Sequence, residues 1–164
     1  MKPSVVVVGS FVKDLSFRCG RFPTAGETVI GTFTTGPGGK GSNQAVACAR
    51  AGARTRFVGA VGRDAFGAEA ARFLRSEGID ARLAPKRGQA TGAAAILVDG
   101  SSQNEIIVAI GASVALGSAA FAAAEDGLGS DEGAGAAVGL ASGKNDALEP
   151  VAVSATKRNA ATIA

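Results

Sequence analysis

A chain of 164 residues, 46% apolar and 19% charged, is long enough for one domain with a substantial core and too apolar to be disordered throughout. It has no histidine, tryptophan or tyrosine, which excludes a histidine base, nucleophile or metal ligand, and its net charge of +3 comes from scattered cations with few aromatics between them, which argues against a nucleic-acid partner. Cys19 and Cys48, the two cysteines, form no C-x-x-C pair, so a zinc site is not expected and a reducing cytoplasm is.

The N-terminal MKPSVVVVGSF carries a four-valine run. A secretory h-region needs about 7–15 apolar residues and a membrane span about 20, so neither a leader nor a membrane partner is expected. SVVVVGS instead predicts a buried strand at the centre of a sheet. FVKDLSFRCGRFPTAGETVIGTFTT alternates in short apolar and polar steps and breaks at PTAG, which predicts a hairpin-like excursion. SNQAVACARAG follows as a helix, with Ser42 or Asn43 as its cap and Gly52 as its stop.

TRFVGAVG, Thr55 to Gly62, predicts a second buried strand. DAFGAEAARFLRSEG is an amphipathic helix capped by Asp64 and stopped by Gly78, with Phe66, Ala70, Phe73 and Leu74 on one face. IDARLAP returns to a strand, and TGAAAILVDG with NEIIVAIG forms a second hairpin around DGSSQ. The order βββαβαβββ with short connections predicts an α/β domain: a mostly parallel sheet plus a separate antiparallel flap.

Beyond Gly111 the pattern changes to a run dominated by Gly, Ala and Ser. LGSAAFAAAEDGL has helical character, whereas the glycines of GSDEGAGAAVGLASGKND argue against one continuous helix, each costing about 1 kcal/mol relative to alanine. LEPVAVSATKRNAATIA closes the chain as a final short helix.

GPGGKGSN, Gly36 to Asn43, concentrates four glycines, a lysine and an asparagine ahead of the first helix. It fails as a G-x-x-x-x-G-K-[ST] phosphate loop, because Gly41 follows Lys40 and Thr34 stands where the first glycine belongs. Gly36, Gly38 and Gly41 do match G-x-G-x-x-G, with Asp64 downstream, but a dinucleotide fingerprint follows the first strand of its fold, and here that strand runs into GSFVKD. A third reading is a polyol site, where glycine-freed amides, a lysine and an asparagine amide meet several hydroxyls and Asp14 adds a carboxylate. The plain reading is a glycine-rich turn that starts a helix.

VVVVGSFVKD, then FPTAGET, GGKGSNQAVACARAGA, FVGAVGRDAFGAEAARFLRSEGID and TGAAAILVDGSSQNEIIVAIGAS occur in one continuous order from Val5 to about Ser113. In that order they resemble the ribokinase/PfkB family of carbohydrate kinases, and GGKGxNQA after a PxxGET turn is the most specific part of the match. The resemblance implies a ribokinase-like three-layer α/β/α fold with a mostly parallel sheet and an antiparallel β lid. It implies ATP-dependent phosphorylation of a sugar hydroxyl, with ribose or a similar sugar as partner, magnesium and a monovalent cation as further ligands, and a homodimer formed through the lid. Asp14 matches the strand-end aspartate that binds sugar hydroxyls. Gly38, Gly39, Lys40 and Asn43 match the segment that holds the sugar, and Ala94 and Ile96 fall where lid residues close over it. Val12 stands where members carry an asparagine, which removes one amide contact.

Members also carry an N-x-x-E motif, a nucleotide pocket and a GAGD motif whose aspartate is the catalytic base. N-x-x-E is absent, since Asn145 and Glu149 are spaced one residue too far apart. SDEGAGAAVGLASG, Ser130 to Gly143, resembles the GAGD helix start with Ala136 in place of the aspartate; a chance match in a Gly/Ala-rich run is the alternative. Residues 1–113 are therefore expected to form a ribokinase-like N-terminal region with its lid, and 114–164 a degenerate or remnant region, leaving the C-terminal part of the fold truncated and a long apolar sheet edge poorly covered. The leading expectation is a sugar kinase by descent that is weakly active or inactive as this chain. A catalytically dead sugar-binding or lid-dimerising module stands second, and a dinucleotide-binding domain third.

Overall fold

The computed structural model of the chain describes residues 2–116 and the backbone of 134–139. The elements run β1 (Ser4–Gly9), β2 (Val12–Cys19), β3 (Gly31–Gly38), α1 (Lys40–Arg50), β4 (Arg54–Gly62), α2 (Ala65–Ser76), β5 (Asp80–Lys86), β6 (Gly92–Val98), β7 (Asn104–Ala109), a 3-10 turn (Gly111–Ala115) and β8 (Ala134–Gly139). They build two sheets, one ordered β5-β4-β1-β8 and the other β3-β2-β6-β7.

The first sheet is parallel throughout its described pairs, with Val6 opposite Arg56 on one side and Ala136 on the other. Successive residues of a strand point to opposite faces. Val5 and Val7 accordingly pack with Phe57 and Val61 against Ala45 of α1 and Ala70 and Leu74 of α2, with Phe11 and Ile79 completing the cluster. Both helices thus lie on one face of this sheet. Asp64 caps α2 as the sequence indicates, accepting the Gly67 N–H at 2.8 Å, and α1 and α2 are followed by Gly52 and Gly78. Arg50 of α1 clasps Glu77 at the end of α2, Nε to Oε2 2.8 Å and Nη2 to Oε1 2.6 Å.

The second sheet forms from the two hairpins. β2 and β3 pair antiparallel, as do β6 and β7, and the hairpins join side by side through a parallel pairing of β2 with β6. Each hairpin's turn is tied by one carboxylate. Glu27 accepts the Thr24 N–H at 3.0 Å and pairs with Arg21 through both terminal guanidinium nitrogens, while Asp99 accepts the N–H of Ser101 and of Gln103.

Three expectations change. The glycine-rich stretch is not a loop: Gly36 to Gly38 belong to β3, and α1 begins at Lys40. Gly39, at φ +98, turns the chain from strand to helix in one residue and is itself the N-cap, so neither Ser42 nor Asn43 caps α1. The GAGA stretch is strand β8 rather than a helix start, which puts Ala136 in sheet register opposite Val6 and gives β1 a second parallel neighbour. The helices expected in 118–128 and 148–164 lie outside the described residues. No helix among the described residues is long and apolar enough to cross a membrane.

Candidate sugar site

The site sits where β1, the second sheet (the lid, β3-β2-β6-β7) and α1 meet. β1 ends at Gly9, and Ser10 and Phe11 carry the chain into β2, whose third residue is Asp14. Register places Asp14 directly opposite Gly36 of β3 and Ala94 of β6, so its carboxylate is flanked on both sides by residues that offer little or no side chain. Ile96, opposite Ser16, lies one step further along the same face.

The glycines are fixed by close approach. A Cβ on Gly38 would collide with the carboxylate of Asp14. One on Gly39 would lie 2.6 Å from the Ser10 carbonyl oxygen and 2.8 Å from the Val12 nitrogen. The start of α1 is thereby pressed against the β1–β2 connection. The Ser42 N–H donates to the Ser10 carbonyl at 3.2 Å, satisfying one of the amides that a helix N-terminus leaves over. The Ser42 hydroxyl turns back and donates to the carbonyls of Gly38 and Gly39, at 2.5 and 3.0 Å.

Burial pushes the Asp14 carboxyl above its ordinary value, and the ammonium of neighbouring Lys13 pulls part of the way back. Lys40 opens α1 and Asn43 lies in its first turn, both exposed. The structure therefore gathers Asp14, Gly38, Gly39 and Ala94 at one place, with Lys40 and Asn43 on the adjoining helix start. Ala136 lies within β8, opposite Val6 in the middle of β1.

A carboxylate beside backbone amides at a helix start can accept protons from two hydroxyls and donate to a third oxygen through those amides, which suits a polyol. The dinucleotide pattern does not gain its setting. Gly36 and Gly38 lie within the lid sheet, and Asp64 is engaged by Gly67 and Thr91. No group of His, Cys, Asp or Glu among the described residues could hold a metal ion.

Sequence reasoning did not find Ser10, Lys13 or Thr91. Ser10 is buried, and its hydroxyl has no partner among the described residues. Lys13 is 4% exposed and reaches Glu69 on α2. Thr91 donates its N–H and its hydroxyl to the two oxygens of Asp64, each at 2.7 Å, and accepts the Gly62 N–H at 2.9 Å. A lysine inside an apolar strand was the one available signal among these.

Residues 2–132 match the model of the pfkB family carbohydrate kinases. The chain is 42% identical over 117 residues to the ribokinase of Mus musculus, covering 70% of this chain and 36% of that protein. The ribokinase structure from Giardia lamblia superposes with a TM-score of 0.74 at 34% identity, over 84% of this chain and 42% of its own. The Arabidopsis thaliana ribokinase complexed with ribose and ATP gives 0.60 at 37% identity, over 68% and 37%. The chain spans little more than a third of the length of the curated relatives it matches.

Proposed function

Because the chain belongs to the pfkB family of carbohydrate kinases, we propose that it carries the sugar-binding and lid portion of a kinase that phosphorylates a sugar hydroxyl. Ribose is the proposed sugar, and ATP with magnesium the proposed phosphoryl donor, with a monovalent cation as a further ligand. The observation that carries the reading is the Asp14 carboxylate seated on Gly38 beside the start of α1, with Gly36 and Ala94 leaving room over it. Ribose named in the Arabidopsis thaliana complex supports the choice of sugar. Asp14, the amides around Gly38 and Gly39, Lys40 and Asn43 would bind and orient the hydroxyls, and Ala94 and Ile96 would form the lid surface above them.

The 164 residues by themselves are proposed to be weak or inactive in phosphoryl transfer. A base on the attacking hydroxyl contributes about 10²–10⁴-fold to such reactions, and these 164 residues contain no GAGD motif to supply the aspartate that the family resemblance implies. Two free thiols, Cys19 and Cys48, agree with a cytoplasmic setting. Titration calorimetry of the full chain with ribose, alongside a coupled assay for ADP release, tests the reading. Ribose binding without appreciable turnover is the expected result. Absence of binding in the parent removes the sugar site, and robust turnover removes the inactivity.

The second reading, a catalytically silent module that dimerises through its lid, is favoured by one specific observation. Phe17, Phe33, Ile106, Ile107 and Val108 are all about half exposed or more on the lid sheet.

A further inference from the structure

Lys13 and Asp14 are neighbours on β2 and therefore point to opposite faces of the lid sheet. Asp14 faces the candidate sugar site. Lys13 faces the other way, into a buried position, and its Nζ donates to Glu69 Oε1 of α2 at 2.6 Å. Helix α2 holds the lid at a second point. Its cap, Asp64, binds the N–H and the hydroxyl of Thr91, the residue that leads into β6. Val12 and Gly92 are opposite one another in the β2–β6 pairing, so the two attachments grip adjacent strands at the same level, the root of the lid.

A buried ammonium is costly unless it is paired, and a buried ion pair adds little net stability over an apolar side chain of the same size. What it does impose is geometry, since the nitrogen must stay within hydrogen-bond reach of the carboxylate, whereas a methionine in its place could slide. A displacement of Lys13 along α2 would carry Asp14 with it through the pleat of β2. The charges that face Asp14 or its strand are few. They are Lys13 with Glu69 behind it, Arg18 further along Asp14's own face of β2, and Lys40 at the start of α1, while β3 and β6 bring Gly36 and Ala94.

We propose that α2 is the anchor that fixes the lid angle, with Glu69, acting through Lys13, and Asp64, acting through Thr91, as positioning residues for the Asp14 carboxylate. This rests on Asp14 being the sugar ligand, and the test separates the two ideas. Amide hydrogen exchange and ribose calorimetry are run on the full chain and on Lys13→Met, Glu69→Gln and Thr91→Val, at a pH well above the carboxylate range, where Asp14 carries the same charge in each.

The expected result for all three variants is exchange about tenfold faster at amides 12–15 and 92–95, with amides of β1 and β4 within about twofold of the parent. Ribose affinity is expected to fall about fivefold or more in the same variants, because a displaced carboxylate loses part of its hydrogen bonding. Unchanged exchange at the lid root overturns the proposal, as does an equal loss of protection everywhere, which would mark the pair as a global stabiliser. Should Lys13→Met fail to fold, the exchange patterns of Glu69→Gln and Thr91→Val decide between these outcomes. If the parent itself gives no heat with ribose, the sugar reading falls, and the anchor stands or falls on the exchange pattern.

Discussion

The carboxylate of Asp14 rests on the bare α-carbon of Gly38, in space that any other residue at 38 would need for its own Cβ. The two belong to paired strands, with Val12 rather than Asp14 in register with Gly38, so the contact is diagonal across the β2–β3 ladder. Gly38→Ala is therefore expected to displace the carboxylate, and overpacking of this kind costs about 1–3 kcal/mol. Urea denaturation should show the loss, and ribose binding should weaken more than stability alone explains. An alanine variant with parental ribose affinity would contradict the contact.

Asp14→Ala removes the charged acceptor without disturbing the strand. Hydrogen bonds to charged groups contribute about 1.5–3 kcal/mol each, so ribose affinity should fall by at least about tenfold. Calorimetry measures this directly, and denaturation midpoints within error of the parent would show that the fold is intact. Asp14→Asn, which keeps an acceptor but loses the charge, should fall between the two.

Asp64 holds the N-cap of α2 and both donors of Thr91. Burial raises its carboxyl pKa, but the bonds from Thr91 and Gly67 outweigh that and leave it below the ordinary value. A depressed folded value means the stabilisation is fully present above the unfolded carboxylate range and is lost as pH falls through the folded one. Asp64→Ala should cost about 2–4 kcal/mol near neutrality, combining a lost cap with orphaned buried donors. Its unfolding free energy should also depend less on pH below the carboxylate range than the parent's, which urea titrations at a series of acidic pH values would show.

Glu27 is the most acidified group described, brought down to about 2, first by the paired guanidinium of Arg21 and then by the Thr24 N–H. Carbon-13 titration of its carboxyl should give a midpoint near that value, and the turn at 24–27 should hold until the solution is strongly acid. Arg21→Gln should raise the midpoint towards that of an ordinary glutamate. High salt should do so partially, since the pair is at the surface.

Phe17 and Phe33 pack ring to ring across β2 and β3, with centroids 4.8 Å apart, and remain half exposed. If lid surfaces pair two copies, sedimentation velocity should show a concentration-dependent dimer in the parent and a monomer in Phe33→Ser. A parent that stays monomeric at high concentration would remove the lid-dimerising reading.

Much of the first sheet and its helices is legible in the sequence, because local patterns determine them. The valine run can only be buried, Asp64 sits where a cap must, and Gly52 and Gly78 follow their helices. The start of α1 is not legible. A strand that turns into a helix at one glycine leaves no loop residues to recognise, and serines near a helix start suggest a cap that the close-packed backbone does not need. β8 is hidden for a different reason: Gly and Ala have weak strand preference, and its position follows from pairing with β1. At the candidate site the sequence points to Asp14 and the glycines, whose types are diagnostic. Lys13–Glu69 and Asp64–Thr91 join residues 56 and 27 apart, and no local pattern announces such pairs.

The parallel seam between β2 and β6 sets an order of events during synthesis. Asp14 has no β6 neighbour until Ala94 has left the ribosome, so the first hairpin emerges long before the strand that completes its sheet. Through that interval the β2 edge of the hairpin is unpaired. Slowing translation between residues 20 and 90 should therefore prolong the life of that unpaired edge and raise aggregation more than slowing it after β6 has emerged.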